Sequence, residues 1–264
     1  MHREGQRRTP RTLDRGFTLI ETAIVLLIVG LLLGGLMMPL AMQRERARFT
    51  ETEGALTEIR EALLGHALAT GAFPCPAIPA SSGMASIAGG GCTRQHGFVP
   101  AGTLGLSGRR NEDQLLVDAW NNPYRYSVTN VDADGDGAWD FTAPGEMRDV
   151  QIANLAPDLN VCTTSTGSTA TACSGATTTL TATAPVVVYS MGSEWAGSGG
   201  PDQNENVGAT LGGGPSGRNY AVAGDRVFVH RIRSDAPGAE FNDVVTWVSA
   251  NGTYNRMVRA GQLP

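Results

Sequence analysis

The chain has 264 residues, enough for one or two domains with a hydrophobic core, and its net charge of −5 is unevenly distributed. Residues 1–16 contain five arginines and two acidic residues, so this leader carries a charge of +3 and the remainder carries −8. Because phosphate contacts need a basic face, the acidic remainder argues against nucleic acid as a partner.

A run of mainly apolar residues follows the leader, from Phe17 to Met42. A helix of these 26 residues would be about 39 Å long, which exceeds the bilayer core of about 30 Å. The run therefore predicts a transmembrane helix over residues 17–42, and the basic leader predicts a cytoplasmic amino terminus. Glu21 lies within the run and has two interpretations. An acid inside a membrane usually marks a functional site, whereas an acid near a helix end can reach back to the lipid headgroups.

The order of leader and apolar run differs from that of a secretory signal, in which the apolar region precedes the cleavage site. The sequence RGFTLIE at residues 15–21 resembles the cleavage and methylation signature of type IV prepilins and type II secretion pseudopilins. This resemblance implies that a prepilin peptidase cuts between Gly16 and Phe17 and methylates the Phe17 nitrogen. It also implies that Glu21 attracts the amino group of a neighbouring subunit during assembly.

The same resemblance implies a structural function and a location. The chain would be a subunit of a type IV pilus-like filament, first held in the inner membrane by a single pass and then part of a periplasmic or cell-surface filament. Its partners would be other pilin or pseudopilin subunits, the prepilin peptidase, an inner-membrane assembly platform and the lipid bilayer.

Other functions remain open at this stage. The first alternative is a type II secretion pseudopilin that acts in protein export. The second is a binding module at a filament tip, for adhesion or DNA capture, in which Arg109 with Arg110, or Arg231 with Arg233, would form a basic patch. No G-x-S-x-G or H-E-x-x-H motif occurs, so we predict no enzymatic activity and no catalytic residues.

The helix is predicted to continue beyond the membrane run. After Gln43 apolar residues recur at helical spacing, at Phe49, Leu56, Ile59, Leu63 and Ala67. Gly71 and Pro74 predict the end of the helix, which therefore covers residues 17–70. Pro39 marks either a kink or a place where the helix unwinds in a filament.

Residues 71–264 are predicted to form a globular periplasmic or extracellular domain. Strand-like sequences occur at 124–129, 185–190, 226–232 and 243–249. One long helix followed by strands predicts an α+β domain in which the helix packs on an antiparallel sheet. The resemblance to type IV prepilins implies the same architecture, the pilin fold. The Gly- and Pro-rich segment 71–113 and the Ser- and Thr-rich segment 162–184 are predicted to be loops.

Four cysteines lie in the predicted outer domain, namely Cys75, Cys92, Cys162 and Cys173. They allow three pairings, of which the sequence-local one would close two short loops. An oxidising compartment outside the cytoplasm permits disulfides. The alternative, four free or metal-binding thiols, lacks any C-x-x-C spacing.

The sequence VDADGDGAWDF at residues 131–141 predicts a structural Ca²⁺ loop. Aspartates occupy the first, third, fifth and ninth positions, at Asp132, Asp134, Asp136 and Asp140. Alternating aspartates around a tight turn direct several carboxylates at one point, and the Ala138 carbonyl would supply the seventh-position ligand. Because the twelfth position is Ala143 and not glutamate, an acidic hairpin turn is the alternative.

Two further segments resemble major pseudopilins. DAWNNPYRY at 118–126 is similar to their D-P-W-G-N-P-Y segment, and YSMGSE at 189–194 is similar to Y-S-L-G-A-D. In that family the second segment begins a calcium loop, so the resemblance implies weaker metal ligands at Glu194, Asp202 and Glu205. Asn121 replaces the family's glycine and can adopt the same left-handed geometry. The wide separation of the two segments indicates a minor or atypical subunit.

Overall fold

The computed structural model describes residues 16–194, 200–207 and 225–264, and within these ranges it describes no side chains at 34–40 and 194. Most of the predicted leader lies outside the described residues. The chain divides into two compact units, residues 1–46 and 47–264. Helix α1 is Leu19–Thr70, which confirms the predicted long helix, and it is continuous through position 39.

Among the residues that the structure describes, no helix combines the length and the apolar character that crossing a membrane requires. The membrane span over residues 17–42 stays a prediction.

The second unit contains a four-stranded antiparallel sheet in the order β3-β4-β7-β9. Its strands are His96–Phe98 (β3), Arg125–Val128 (β4), Val186–Ser190 (β7) and Val244–Val248 (β9). A second sheet has the order β6-β5-β8. Its strands are Leu159–Cys162 (β5), Thr179–Ala184 (β6) and Val227–Val229 (β8). The prediction of an α+β domain with an antiparallel sheet is confirmed.

The described part of the second unit also contains smaller elements. Strands β1 and β2, Ile87–Ala88 and Gly91–Cys92, form a short hairpin. The further helices in this described part are Glu146–Val150 (α2), Pro201–Val207 (α3) and Ala250–Arg259 (α4), and 3₁₀ turns cover Pro79–Ser81 and Gly192–Glu194. Both disulfides follow the sequence-local pairing, Cys75 with Cys92 and Cys162 with Cys173.

The arrangement of the core explains why consecutive residues of β7 are apolar. Val186 and Val188 face the cluster that covers the apolar stripe of α1, while Val187 and Tyr189 face the cluster beneath β5 and β8. Successive strand residues point to opposite faces, so a sheet that is covered on both faces needs apolar residues at every position. From α1, the buried residues include Leu56, Ile59, Leu63 and Ala67.

Four local features differ from the sequence-based expectations. Strands β1, β2 and β3 lie in the Gly- and Pro-rich segment 71–113 that was predicted to be a loop, and β3 joins the four-stranded sheet. Strand β6 lies in the Ser- and Thr-rich segment predicted to be a loop, because β-branched threonines suit a strand whose outer face stays in solvent. Strands β5 and β8 pair in parallel, although an antiparallel sheet was expected throughout. Helix α4 was not predicted, and it begins at an N-cap, where the Ser249 side chain accepts a hydrogen bond from the Gly252 amide.

Candidate functional sites

The amino-terminal end of α1 is exposed and has its own cap. Phe17 is 80% exposed, and nothing lies within 4 Å of a Cβ built on Gly16. The Glu21 amide donates to Thr18 Oγ1 at 3.3 Å, and the Thr18 amide donates to Glu21 Oε2 at 3.5 Å. These two bonds form a capping box, which satisfies amides that the first helical turn leaves without partners. The bond between Gly16 and Phe17 therefore lies just before a capped helix, at an accessible place.

The first unit presents apolar side chains on all sides of α1. Large hydrophobic residues between positions 17 and 33 are at least 43% exposed, and these are Phe17, Leu19, Ile20, Ile24, Val25, Leu26, Leu27, Ile28, Val29, Leu31, Leu32 and Leu33. A helix that is apolar all round normally lies in a core or a membrane. This surface is consequently unlike that of an ordinary soluble helix.

Residues 11–37 match the family model of the prokaryotic N-terminal methylation motif. The chain carries that motif. The match includes the sequence RGFTLIE and supports the resemblance to type IV pilins and pseudopilins, and hence a subunit of the pilin or pseudopilin type. No curated protein and no solved structure matches the chain. The cleavage after Gly16, the methylation of Phe17 and the assembly role of Glu21 stay predictions.

In this motif-bearing chain, the two segments similar to major pseudopilins bind each other. Oδ1 of the buried Asp118 carboxylate accepts hydrogen bonds from the Trp120 and Asn122 amides, at 2.8 and 2.9 Å. Its Oδ2 accepts the Ser190 hydroxyl at 2.5 Å, and the Asn122 side chain donates to the Gly192 carbonyl at 2.6 Å. We call residues 118–122 and 190–192 the clamp. Burial raises the pKa of Asp118, and these hydrogen bonds oppose that rise.

Two residues of the clamp have backbone conformations that few residue types tolerate. Asn121 has φ of 68°, so it adopts the left-handed geometry expected from the sequence. Gly192 has φ of 59°, and a Cβ at this position would lie 2.4 Å from Asn242 Oδ1. Glycine is therefore required at 192. The clamp holds the segment before β4 against the end of β7, which gives it a structural role.

Asp202, one of the weaker metal-ligand candidates, already has several partners. Its Oδ1 accepts the Ser165 amide and hydroxyl and the Thr164 hydroxyl, at 2.7, 2.9 and 3.0 Å. Its Oδ2 pairs with Arg231 at 2.5 Å. Burial raises the pKa of Asp202, but these bonds outweigh burial and lower it. The contacts attach the loop closed by Cys162 and Cys173 to α3. Glu205 is buried, and the side chain of Glu194 lies outside the described set.

The acidic loop 132–140 brings three of its four aspartates together. Oxygens of Asp132, Asp134 and Asp136 all lie within 4.8 Å of one another. The Asp132 carboxylate accepts hydrogen bonds from the backbone amides of Gly137 and Gly135, at 2.9 and 2.7 Å. These hydrogen bonds lower the pKa of Asp132. Gly137 has φ of 96°, which suits glycine at the sixth position of the loop. The three carboxylates are thus held in position by the backbone of their own loop.

Asp140 lies beneath this loop. Its side chain is fully buried, and its Oδ1 accepts the amide of Ala133, between Asp132 and Asp134, at 3.1 Å. Within the described part of the chain, its Oδ2 has no hydrogen-bond partner. Burial raises the pKa of Asp140, and the negative charges of Asp134 and Asp132 raise it further.

Glu146 is an acidic neighbour that the sequence pattern did not indicate. It lies in the first turn of α2, beyond the twelfth position of the loop, where a ligand was sought and Ala143 was found. Burial raises the pKa of Glu146, and the negative charges of Asp136 and Asp134 raise it as well, so Glu146 lies within electrostatic reach of the loop. The signal that could have revealed it is an acid placed directly after a helix-starting Pro144-Gly145 pair.

The arginines proposed as basic patches have partners within the chain. Arg109 pairs with Glu51 at 3.4 Å, and Arg110 donates to the carbonyls of Gln114 and Leu106. Arg233 pairs with Asp235 and lies over the Phe49 ring at 4.5 Å. With Arg231 bound to Asp202, each of these guanidinium groups would have to share or release a partner to bind a phosphate.

Proposed function

We propose that the chain is a structural subunit of a type IV pilus-like filament, processed by prepilin peptidase and assembled from the inner membrane. The methylation motif over residues 11–37 carries this proposal. It is supported by the apolar surface between Phe17 and Leu33, because contiguous exposed apolar surface of this extent needs a cover. Lipid would cover it before assembly, and the helices of neighbouring subunits would cover it in the filament.

Processing would create the group that Glu21 needs. A cut between Gly16 and Phe17 leaves the Phe17 nitrogen as a new cationic amino terminus, which prepilin peptidase then methylates. A buried acid that binds an amine avoids the high cost of a lone buried charge, although such a pair need not add stability. Its value would be register, since one stagger between subunits satisfies both charges and others do not.

The capping box indicates how Glu21 is held before assembly. The Glu21 carboxylate accepts a hydrogen bond from the Thr18 amide at 3.5 Å, which is long for a hydrogen bond to a carboxylate. A neighbouring ammonium group would offer a shorter, charge-assisted bond. Glu21 can therefore exchange its contact within the chain for one between subunits at little cost.

Mass spectrometry of the mature protein tests processing directly. We expect an amino terminus at Phe17 that carries a methyl group. An intact Met1, or a cut after the apolar run, would overturn the proposal.

The Glu21→Ala variant tests assembly separately from processing. We expect normal cleavage but at least a tenfold loss of incorporation into filaments, as measured by immunoblotting of sheared filaments against cell-bound protein. Thr18→Ala is the matched control, because it removes the hydroxyl that caps the Glu21 amide and keeps the acid. If Glu21→Ala subunits enter filaments normally, Glu21 is only an acid that seeks the lipid headgroups.

A second candidate function is that of a type II secretion pseudopilin, which acts in protein export. The clamp favours it, because the two segments similar to major pseudopilins are joined by Asp118 and Ser190. Deletion of the gene would separate the candidates: loss of an exported protein with intact surface pili indicates the pseudopilin, and loss of pili with intact export indicates the pilus subunit. The engaged arginines give a DNA-binding tip module no such support.

A further inference from the structure

The carboxylates of the acidic loop have the spacing that a shared cation would need. Two oxygens bound to one Ca²⁺ ion at about 2.4 Å each can be at most about 4.8 Å apart. The oxygens of Asp132, Asp134 and Asp136 meet this limit, as they lie within 4.8 Å of one another. Clusters of exposed acids are nevertheless common without an ion, so this spacing alone does not establish a site.

The second observation is the buried oxygen of Asp140. A buried polar atom without a hydrogen bond is uncommon in native proteins, and a water or an ion that supplies the missing contact is one explanation for it. Asp140 is fully buried, lies against the loop backbone at Ala133, and leaves Oδ2 without a partner in the described residues. It occupies the ninth position, from which calcium loops often bind the ion through a water.

Glu146 supplies what the loop sequence lacks. Loops of this kind end with a glutamate that binds the ion through both oxygens, and here the twelfth position is Ala143. Glu146 lies in the first turn of α2, three residues after Ala143, and it interacts electrostatically with Asp134 and Asp136. A glutamate from the following helix is therefore available to complete the site, which the sequence spacing alone did not reveal.

We propose that the acidic loop binds Ca²⁺ through the carboxylates of Asp132, Asp134 and Asp136, the Ala138 carbonyl and both oxygens of Glu146, with Asp140 acting through a water. This set offers about six protein oxygens and one water, within the six to eight that Ca²⁺ prefers. It includes no histidine and no cysteine, the ligands that favour zinc or copper. The class of affinity is that of extracellular modules, with Kd of about 10⁻⁴ to 10⁻³ M.

Trp139 makes the site observable, because it occupies the eighth position of the loop itself. Tb³⁺ binds to oxygen sites that accept Ca²⁺, and it emits when a nearby tryptophan transfers energy to it. With the purified full-length chain in detergent, we expect sensitised emission that millimolar Ca²⁺ displaces. Trp139→Phe should lose the emission but retain the rise in melting temperature on adding Ca²⁺.

Two substitutions test the ligands against a matched control. Asp134→Ala and Glu146→Gln should each weaken Ca²⁺ displacement of Tb³⁺ by at least tenfold. Glu112→Gln removes one exposed acid elsewhere in the same unit and should leave displacement unchanged. Melting temperatures without Ca²⁺ should agree among the variants, since Asp134 is exposed and Glu146 is only partly buried.

Each outcome decides part of the proposal. Emission of equal strength in the wild type and in Asp134→Ala, or no displacement by millimolar Ca²⁺, overturns the site. A Glu146→Gln variant that binds as the wild type does removes Glu146 from the ligand set. Because binding is measured on the unassembled chain, these results are independent of whether the chain forms filaments.

Discussion

The two units of the chain use apolar residues of α1 in opposite ways. In the first unit Leu19 is 88% exposed and Leu26 is 71% exposed, whereas in the second unit Leu63 is completely buried. The second unit covers its part of the helix with its own sheet and with α4. The first unit has no such cover within its described residues, and we propose that lipid or other subunits cover its apolar surface. One helix thus combines a buried stripe that stabilises a fold with an exposed apolar surface.

Truncating one leucine of α1 in each unit should give the largest difference in the free energy of unfolding. Leu63→Ala leaves a cavity in the core and should lower the free energy of unfolding by about 2–5 kcal/mol. Leu27→Ala removes the same atoms from a residue that is 63% exposed and should leave that free energy nearly unchanged. Chemical denaturation of the full chain in detergent measures both. Equal losses would show that the first unit has an intramolecular partner after all.

Buried ionisable groups of the second unit should make its stability depend on pH. Burial raises the pKa of Asp225 to about 6, and the negative charge of Glu205 adds to the rise. A carboxyl whose folded pKa is raised stabilises the fold fully below its unfolded pKa of about 4, and this stability is lost as pH rises through about 6. The change is about 3 kcal/mol at most.

The Asp225→Asn variant isolates this effect. As pH rises from about 4 to about 7, the wild type should lose up to about 3 kcal/mol relative to the variant. Burial lowers the pKa of His96 to about 4, so His96 acts in the opposite direction over an overlapping range. Both proteins contain His96, and its contribution cancels in the difference. Glu112→Gln is the control, and a flat difference profile for Asp225→Asn would contradict the prediction.

The clamp should contribute less than the core. Asp118→Ala leaves the Trp120 and Asn122 amides and the Ser190 hydroxyl without their acceptor. An unsatisfied buried donor costs about 1–3 kcal/mol. We expect Asp118→Ala to lower the free energy of unfolding by about 2 kcal/mol, because the exposed part of the turn can bind water. Asp118→Asn keeps one acceptor oxygen and should lose about half as much. A loss of under about 0.5 kcal/mol in Asp118→Ala would show that the clamp is not needed for the fold.

Features with strong periodicity or a specific motif could be read from the sequence. The long helix, four of the strands and the amino-terminal motif belong to this group, because each depends on local pattern. The pairing of β5 with β8 could not be predicted, since it depends on a contact between segments far apart in sequence. Neither could the position of Glu146, because the course of the chain from Ala143 into α2 decides which acid interacts electrostatically with the loop.

The smallest contrast compares two faces of a single turn of α1. Glu61 lies two residues before Leu63, so the two side chains point to nearly opposite sides of the helix. Glu61 pairs with Arg256 of α4 at 2.8 Å, and the two side chains are 47% and 48% exposed. Exposed pairs of this kind contribute about 0.2–1 kcal/mol, because water screens the charges and two long side chains lose freedom.

Arg256→Gln should therefore lower the free energy of unfolding by less than about 1 kcal/mol, and the difference should shrink further at high salt. Glu61 retains Arg60 at 3.7 Å, which limits the loss. Arg256→Lys, which keeps the charge, is the control. A loss above about 2 kcal/mol that salt does not reduce would mean that Arg256 holds α4 against α1 by packing of its stem. The exposed face of this turn, at Glu61, would then stabilise the fold as the buried face at Leu63 does.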